Sequence, residues 1–238
     1  MRLAVFADIH GNLPAFEALL ADLKGQSPDA LLCLGDVAAS GAWPHECIQL
    51  LATLNCPVVL GNADEDMLTL KPRSFEARGL PDEREIYDLD EWGRKQLTWE
   101  DHTFLKKYKP TVKLPRILAF HGSPESCRES IGASTPVERL KELRASFGQQ
   151  AIWVGGHSHA PLLRTLDGWR LLNPGSVGLA YEKRGERYMN ISRAEYLILD
   201  GEDVQFRRVS YDVKAVQAGI LERKMPHAEW WAGEWASG

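Results

Sequence analysis

Five short apolar runs in this chain each end in a polar residue beside or near glycine, and this repeated pattern limits the folds available to the chain. The first run starts at Arg2 and leads into Asp8, Ile9 and His10. The other runs end at Gly35-Asp36, Gly61-Asn62, His121-Gly122 and Gly156-His157-Ser158-His159. Glycine lets the backbone turn tightly at such positions. Positions i and i+2 at a strand end point to the same side, so Asp8 and His10 can reach one ion together.

The segments between these runs alternate between strand and helix patterns. Apolar residues recur at helical spacing from Leu13 to Leu23, and Pro44 begins a second amphipathic segment. The continuous apolar runs before Asp36 and Asn62 are typical of buried strands. This alternation indicates a layered α/β fold with parallel strands, whose sites lie just beyond the strand ends. Later in the chain, Asp-Gly pairs at 167–168 and 200–201 predict two β-hairpins, and a closing helix follows over 211–224.

The middle of the chain has a different composition. From about residue 65 to residue 110, charged residues and helix formers dominate, which predicts two or three helices. A second cap segment over about 125–147 is predicted to be a loop followed by a helix. No repeat, low-complexity segment or linker divides the chain. We therefore expect a single domain over residues 1–238 that is long enough to bury a substantial core.

Composition excludes several classes of function. Of the 238 residues, 44% are hydrophobic and 26% are charged, as in ordinary soluble domains. The net charge of -5 gives no electrostatic reason to expect a nucleic-acid partner or an anionic membrane. No apolar run approaches membrane-spanning length, and no signal-peptide core follows Met1. We expect a cytoplasmic protein with its four cysteines reduced, and the sequence leaves a homo-oligomer open.

The strand ends supply a candidate set of seven metal ligands: Asp8, His10, Asp36, Asn62, His121, His157 and His159. Nitrogen and oxygen donors without thiolate favour first-row divalent ions such as Mn, Fe, Zn, Ni or Co. Seven ligands are too many for one ion that must also hold water and substrate. They suit two ions if one carboxylate bridges. Two carboxylates and two divalent ions leave the centre positive, which attracts an anionic phosphate ester.

The order of these motifs resembles that of the calcineurin-like metallophosphoesterase superfamily over about residues 2 to 180. The opening Asp8-Ile9-His10-Gly11-Asn12 and the stretch Asn173-Pro174-Gly175-Ser176 resemble its compact bacterial phosphodiesterase branch. The resemblance implies a four-layer αββα sandwich of two mixed sheets flanked by helices, with helical cap insertions. It also implies one ion held by Asp8, His10 and His159, and a second held by Asn62, His121 and His157. In this arrangement Asp36 bridges the two ions.

The resemblance further implies a phosphoesterase that hydrolyses a small soluble phosphodiester or nucleotide through a metal-bridging hydroxide. Asp36 and Asn62 are then catalytic ligands, and the cofactor is two divalent ions, with Mn²⁺ the first choice. The alternative activities are a phosphomonoesterase and a dinucleoside-polyphosphate hydrolase. A non-catalytic scaffold on the same fold, as in the retromer subunit, is the alternative from another class. The complete ligand set favours an enzyme, and the Trp-rich tail gives some weight to the scaffold.

Three residues beside the ligands have open roles. Asp64 either accepts an N–H from a ligand histidine or caps the next helix. Asn12 either holds a phosphate oxygen or closes a turn, and the turn is the preferred interpretation. Ala63 stands where many members of the family have a histidine that donates to the phosphate or leaving group. This departure puts the source of the leaving-group proton in doubt.

Overall fold

A four-stranded sheet and a five-stranded sheet form the centre of the structure, a computed structural model that describes residues 1–69, 75–77, 79 and 81–238. In spatial order, the first sheet contains β11 (Asp203–Ser210), β10 (Arg193–Asp200), β1 (Arg2–Phe6) and β2 (Ala30–Cys33). The second contains β3 (Thr111–Lys113), β4 (Ile117–Phe120), β5 (Ile152–Val154), β7 (Trp169–Asn173) and β6 (Leu162–Leu166). Both sheets are mixed, because β1–β2, β4–β5 and β5–β7 are parallel pairs and the others are antiparallel.

The alternation of side chains along β1 explains how the layers pack. Leu3 and Val5 join Ala119 and Val154 of the second sheet in one core cluster, so this cluster lies between the sheets. Phe6 lies on the opposite face and packs in a cluster with residues of α1 (Leu13–Gln26) and α2 (Pro44–Thr53). The outer face of the second sheet packs against α6 (Val137–Phe147). These are the four predicted layers, and full burial of each large apolar side chain contributes roughly 1.5–3 kcal/mol.

The first cap segment is helical, as predicted. It contains α3 (Asn62–Met67), α4 (Glu83–Gln96) and α5 (Trp99–Leu105), while residues 70–74, 78 and 80 of the segment lie outside the described residues. The short strand expected over 57–60 is reduced to isolated bridges that join Val58 to Cys33 and Val59 to Lys109. Both predicted hairpins are present, as β6–β7 and β10–β11.

A third, smaller sheet was not predicted from the sequence. It consists of β8 (Tyr181–Arg184), β9 (Arg187–Ile191) and β12 (Trp235–Ala236). Two helices precede β12: α7 (Val213–Glu222) and α8 (Ala228–Gly233). Trp231 and Trp235 are each only 5% exposed, and the indole N–H of Trp231 donates to the carbonyl of Ser40. The tail therefore docks on the body of the protein.

The structure also describes the state of the cysteines and the length and apolar character of the helices. All four cysteines are free thiols. Within residues 1–69, 75–77, 79 and 81–238, no helix combines the length and apolar character that a membrane crossing requires.

Candidate metal centre

The strand-end side chains converge in two groups. Ligand atoms of Asp8, His10 and His159 lie within 4.8 Å of one another, and so do those of Asp36, His121 and His157. The seventh predicted ligand, Asn62, places its Oδ1 3.1 Å from Nε2 of His121 and so belongs beside the second group. The structure therefore brings together all seven residues that the sequence selected. His45, His102 and His227 belong to neither group.

The ligands themselves make the tight turns at the strand ends. Five of the seven adopt positive φ angles, namely Asp8 (58°), His10 (49°), Asp36 (55°), His157 (66°) and His159 (54°). Such angles are uncommon outside glycine, although Asp and His tolerate them better than most residues. Each costs on the order of 1–3 kcal/mol and persists only where the surrounding structure enforces it. Strain concentrated at these positions is typical of a functional site.

The first group places two imidazole nitrogens in near contact. The Nε2 atoms of His10 and His159 are 3.1 Å apart, and Oδ1 of Asp8 lies 3.4 Å from Nε2 of His159. On the far side of its ring, His159 donates from Nδ1 to the carbonyl of Leu179 at 3.1 Å. This bond fixes the tautomer that leaves Nε2 free to bind an ion. Two imidazoles and one carboxylate are a donor set that fits a first-row divalent ion.

The second group has the same construction. His121 donates from Nδ1 to the carbonyl of Leu34 at 2.7 Å, which directs its Nε2 towards Asp36 and Asn62. That Nε2 lies 3.2 Å from Oδ2 of Asp36. His121 is fully buried, whereas His157 and His159 are partly exposed. The centre therefore opens to solvent on the side of His157 and His159.

Asp36 lies between the two groups. Its Oδ2 is 3.8 Å from Nε2 of His10 in the first group, besides its contact with His121 in the second. Its other oxygen, Oδ1, accepts from the backbone N–H of Ala63 at 2.8 Å. Gly61 packs against this carboxylate so closely that an added Cβ would lie 2.1 Å from Oδ1. Only glycine fits at position 61 without displacing Asp36.

The environment of Asp64 corrects one sequence-based expectation. The side chain is fully buried, and its two oxygens accept from the backbone N–H groups of Asp36 (2.7 Å), Val37 (2.9 Å) and Gly61 (3.1 Å). The expectation that a ligand histidine donates to Asp64 is wrong for His121 and His159, because their Nδ1 groups bond to the carbonyls of Leu34 and Leu179. The alternative of a helix cap is correct, since Gly61 precedes α3. Asp64 thus joins the loop of Asp36 to the loop of Asn62.

Asn12 bonds to backbone groups, and Ala63 packs in the apolar core. Oδ1 of Asn12 accepts from the backbone N–H of Ala15 and so caps α1, while its Nδ2 donates to the carbonyl of Gly178. Both ends of the amide are therefore engaged, and the preferred interpretation of a turn residue is confirmed. Ala63 is 6% exposed and packs in the core cluster beneath the first sheet.

The stretch after β7 supports both groups of ligands, a role that the sequence did not reveal. Nδ2 of Asn173 donates to the carbonyl of Gly156 at 2.7 Å, and the hydroxyl of Ser176 donates to the carbonyl of Asp8 at 2.8 Å. The backbone N–H of His157 donates to Oδ2 of Asp8 at 3.1 Å. These bonds tie the turn before His157 to the turn that carries Asp8. The sequence feature that could have indicated this supporting role is the Asn-Pro-Gly-Ser turn directly after a predicted strand.

Burial and neighbouring side chains give the candidate ligands very different pKa values. Burial, with the neighbouring His159, lowers the pKa of His10 to about 4. Burial also acts to lower the pKa of His121, but the carboxylates of Asp36 and Asp8 outweigh it and raise the value to about 10. Burial opposes ionisation of Asp36, yet His121 and His10 hold its pKa below the usual range. Burial and the charge of Asp36 raise the pKa of Asp64 to about 7.

Comparison with known proteins places this geometry in context. A family model described as the calcineurin-like phosphoesterase superfamily domain matches residues 1–195. An uncharacterised protein of Methanocaldococcus jannaschii is 29% identical over 247 residues, covering 98% of this chain and 96% of its own length. The crystal structure of a metallophosphoesterase from Sphaerobacter thermophilus has a TM-score of 0.77 and 26% identity, covering 98% of this chain and 97% of the other. A hypothetical protein from Pyrococcus horikoshii shares the fold, with a TM-score of 0.77, 22% identity and 94% of each chain covered.

Proposed function

The chain belongs to the calcineurin-like phosphoesterase superfamily, and on this premise we propose that it hydrolyses a small phosphodiester or nucleotide at a centre of two divalent ions. Membership makes the protein a hydrolase of phosphoester bonds and implies divalent metal ions. We propose, beyond this membership, the number of ions, their identity and the class of substrate. Mn²⁺ is the first ion to test, followed by Fe, Zn, Ni and Co, and a cytoplasmic location stays a prediction.

One observation carries the proposal of two ions. A single oxygen of Asp36 lies within 4 Å of an imidazole nitrogen from each ligand group, at 3.8 Å from His10 and 3.2 Å from His121. A carboxylate in that position is suited to bridge two ions that are held by separate groups. Asp8, His10 and His159 would hold one ion, and Asn62, His121 and His157 the other.

The protein side chains set the charge and the orientation of this centre. The carboxylates of Asp8 and Asp36 balance only half of the charge of two divalent ions, and the neutral amide of Asn62 preserves the excess. A phosphate ester is therefore attracted to the site. Bound divalent ions would supply an ionised water at neutral pH and stabilise charge that builds on the phosphoryl oxygens. Because the side chain of Ala63 is a methyl group, position 63 offers no proton for the leaving oxygen.

The two cap segments meet beside the second ligand group, and we propose that they select the substrate of a single catalytic domain. Arg128 of the second segment donates to Glu65 at 2.9 Å and to Asp66 at 2.7 Å in the first segment. The same guanidinium lies 3.5 Å from the carbonyl of Asn62. These ion pairs join the two cap segments beside Asn62, one of the proposed ligands.

Metal analysis combined with a substrate panel tests the proposal. Purified protein loaded with Mn²⁺ should contain two equivalents by inductively coupled plasma mass spectrometry. It should also cleave aryl and nucleotide diesters faster than the matching monoesters. Asp36→Asn should lose activity and metal. Asp167→Asn is the matched control, because this carboxylate lies at a hairpin tip and is 77% exposed.

Three results would contradict the proposal. One equivalent of metal in the fully active protein would exclude the two-ion centre. A uniform preference for monoesters would favour a phosphatase. Asp36→Asn protein with full metal content and full activity would remove Asp36 from the centre.

A further inference from the structure

A cavity of about 310 Å³ lies beside the first ligand group, on the side where the metal centre opens to solvent. His159 forms part of its wall, so the cavity is continuous with the proposed centre. Its volume is near the lower end of the range for small-molecule sites, about 300–1,000 Å³. Nothing in the proposed function so far uses this space.

Aromatic side chains from two separate parts of the chain line the cavity. Tyr181 and Tyr188 come from the β8–β9 hairpin, and Trp230 comes from α8. The register of the hairpin pairs Tyr181 with Asn190 and Lys183 with Tyr188, so both tyrosines and Asn190 share one face. The tyrosine rings are 5.6 Å apart at an interplanar angle of 81°. Tyr188 is 62% exposed, which leaves most of its ring available for a ligand.

The charged groups at the cavity narrow the choice of ligand. Asp82 and Glu234 both belong to its lining, and Glu234 forms an ion pair with Arg187. Because Arg187 balances the charge of Glu234, the carboxylate of Asp82 is the group that disfavours a second phosphate here, while the amide of Asn190 can exchange hydrogen bonds with a polar ring edge. An uncharged planar ring with polar edges satisfies both conditions, and aromatic side chains bind such rings by stacking.

We propose that this cavity, the aromatic pocket, binds the nucleobase of a phosphate ester whose phosphorus lies at the metal centre. The inference rests on the proposed function and deepens it, because it selects nucleoside esters among small phosphate esters. It also gives the third sheet and the docked tail a common role, since each supplies one wall of the pocket.

A pair of substrates that differ only in the base tests the pocket. Adenosine 5′-(4-nitrophenyl phosphate) and the 4-nitrophenyl phosphate ester of methyl riboside at its 5′ position have the same reacting groups and the same good leaving group. Stacking of one base on aromatic side chains corresponds to about 5- to 150-fold in binding. The Mn²⁺-loaded protein should therefore show a kcat/KM for the adenosine ester that is higher by a factor in this range. Equal kcat/KM values for the two esters would overturn the proposal.

Variants at Tyr188 connect the preference to the pocket. Tyr188→Leu should abolish most of the preference, mainly through KM, and Tyr188→Phe should retain it. Phe206→Leu is the matched control, because it removes another exposed ring, 38% exposed on β11, that is not part of the pocket lining. A preference that survives in Tyr188→Leu protein would overturn the assignment.

Binding of free adenosine separates failure of the pocket from failure of the proposed function. Saturation-transfer NMR should detect adenosine on the wild-type protein and a clear loss of signal in Tyr188→Leu, with no signal for methyl riboside. If neither ester is hydrolysed but this binding pattern holds, the pocket is supported and the proposed hydrolysis is wrong. If hydrolysis proceeds but adenosine does not bind, the pocket is wrong and the hydrolysis stands.

Discussion

Replacing Asp64 by alanine tests whether this carboxylate holds the two ligand loops together. The change removes the acceptor from three backbone N–H groups, those of Asp36, Val37 and Gly61. An unsatisfied buried donor costs about 1–3 kcal/mol. Water can enter the space left by the side chain, so each of the three donors should cost about 1 kcal/mol. The expected total is a loss of about 3 kcal/mol in the free energy of unfolding. With an m-value of about 3 kcal/mol/M, this corresponds to about 1 M in the urea midpoint.

The same change should weaken metal binding. Asp36 and Asn62 lie on the two loops that Asp64 connects, and loss of groups that orient ligands typically costs about 10- to 100-fold in metal affinity. Asp101→Ala provides the control, because Asp101 is also fully buried and also caps a helix from the third position, with Thr98. It contacts His45 and Gln49, which are not candidate ligands. Asp101→Ala should lower the urea midpoint while Mn²⁺ affinity, measured by isothermal titration calorimetry, stays unchanged.

Two results would refute this reasoning. If Asp64→Ala unfolds at the same urea concentration as the wild-type protein, the hydrogen bonds of Asp64 contribute nothing measurable to the free energy of unfolding. If Asp64→Ala and Asp101→Ala lower metal affinity equally, the effect on metal comes from general loosening of the fold and not from the link between the loops.

Three further predictions follow from the centre. If Asp36 bridges the two ions, Asp36→Ala should reduce metal content at both sites, whereas Asn62→Ala should reduce it at one. Equal metal content in the two variants would argue against a bridge at Asp36. Because the pKa of His121 is raised to about 10, its ring is protonated at pH 7 and an ion must displace that proton. Mn²⁺ affinity should therefore rise about tenfold per pH unit between pH 6.5 and 8, and calorimetry in buffers of different ionisation heat should detect the released proton. An Mn²⁺ affinity that does not change with pH would contradict this prediction. With alanine in place of a histidine donor at position 63, aryl diesters should keep their full intrinsic advantage over alkyl diesters, an advantage that a positioned acid would reduce on the order of 10²–10⁴-fold. A leaving-group series with a slope near zero would show that another donor acts.

Much of the candidate site could be predicted from the sequence because its signals are local. An apolar run followed by a polar residue and glycine marks a strand end wherever the chain folds as α/β. For this reason Asp8, His10, Asp36, Asn62, His121, His157 and His159 could be selected without a structure. The two hairpins at Asp-Gly pairs were equally local, and both are present.

The errors concern residues whose role depends on a distant partner. Asp64 could be placed beside a ligand, but its three donors come from two different loops, and which loops meet is a property of the packed sheets. The β8–β9 hairpin was missed because its sequence, rich in charge between Tyr181 and Tyr188, has no apolar alternation. It is completed by β12 from the end of the chain.

By itself, the sequence determined the α/β class, the strand ends and the candidate ligand residues, because apolar periodicity and turn residues act over a few neighbours. Only the tertiary structure decided how those residues divide into two groups and which of them lies between the groups. His121 is held by the carbonyl of Leu34, and Asp8 by the turn before His157. The tertiary structure also brought Tyr188 and Trp230 into the lining of one pocket that includes His159. Such contacts join residues far apart in the chain, and their geometry follows from the packing of whole sheets.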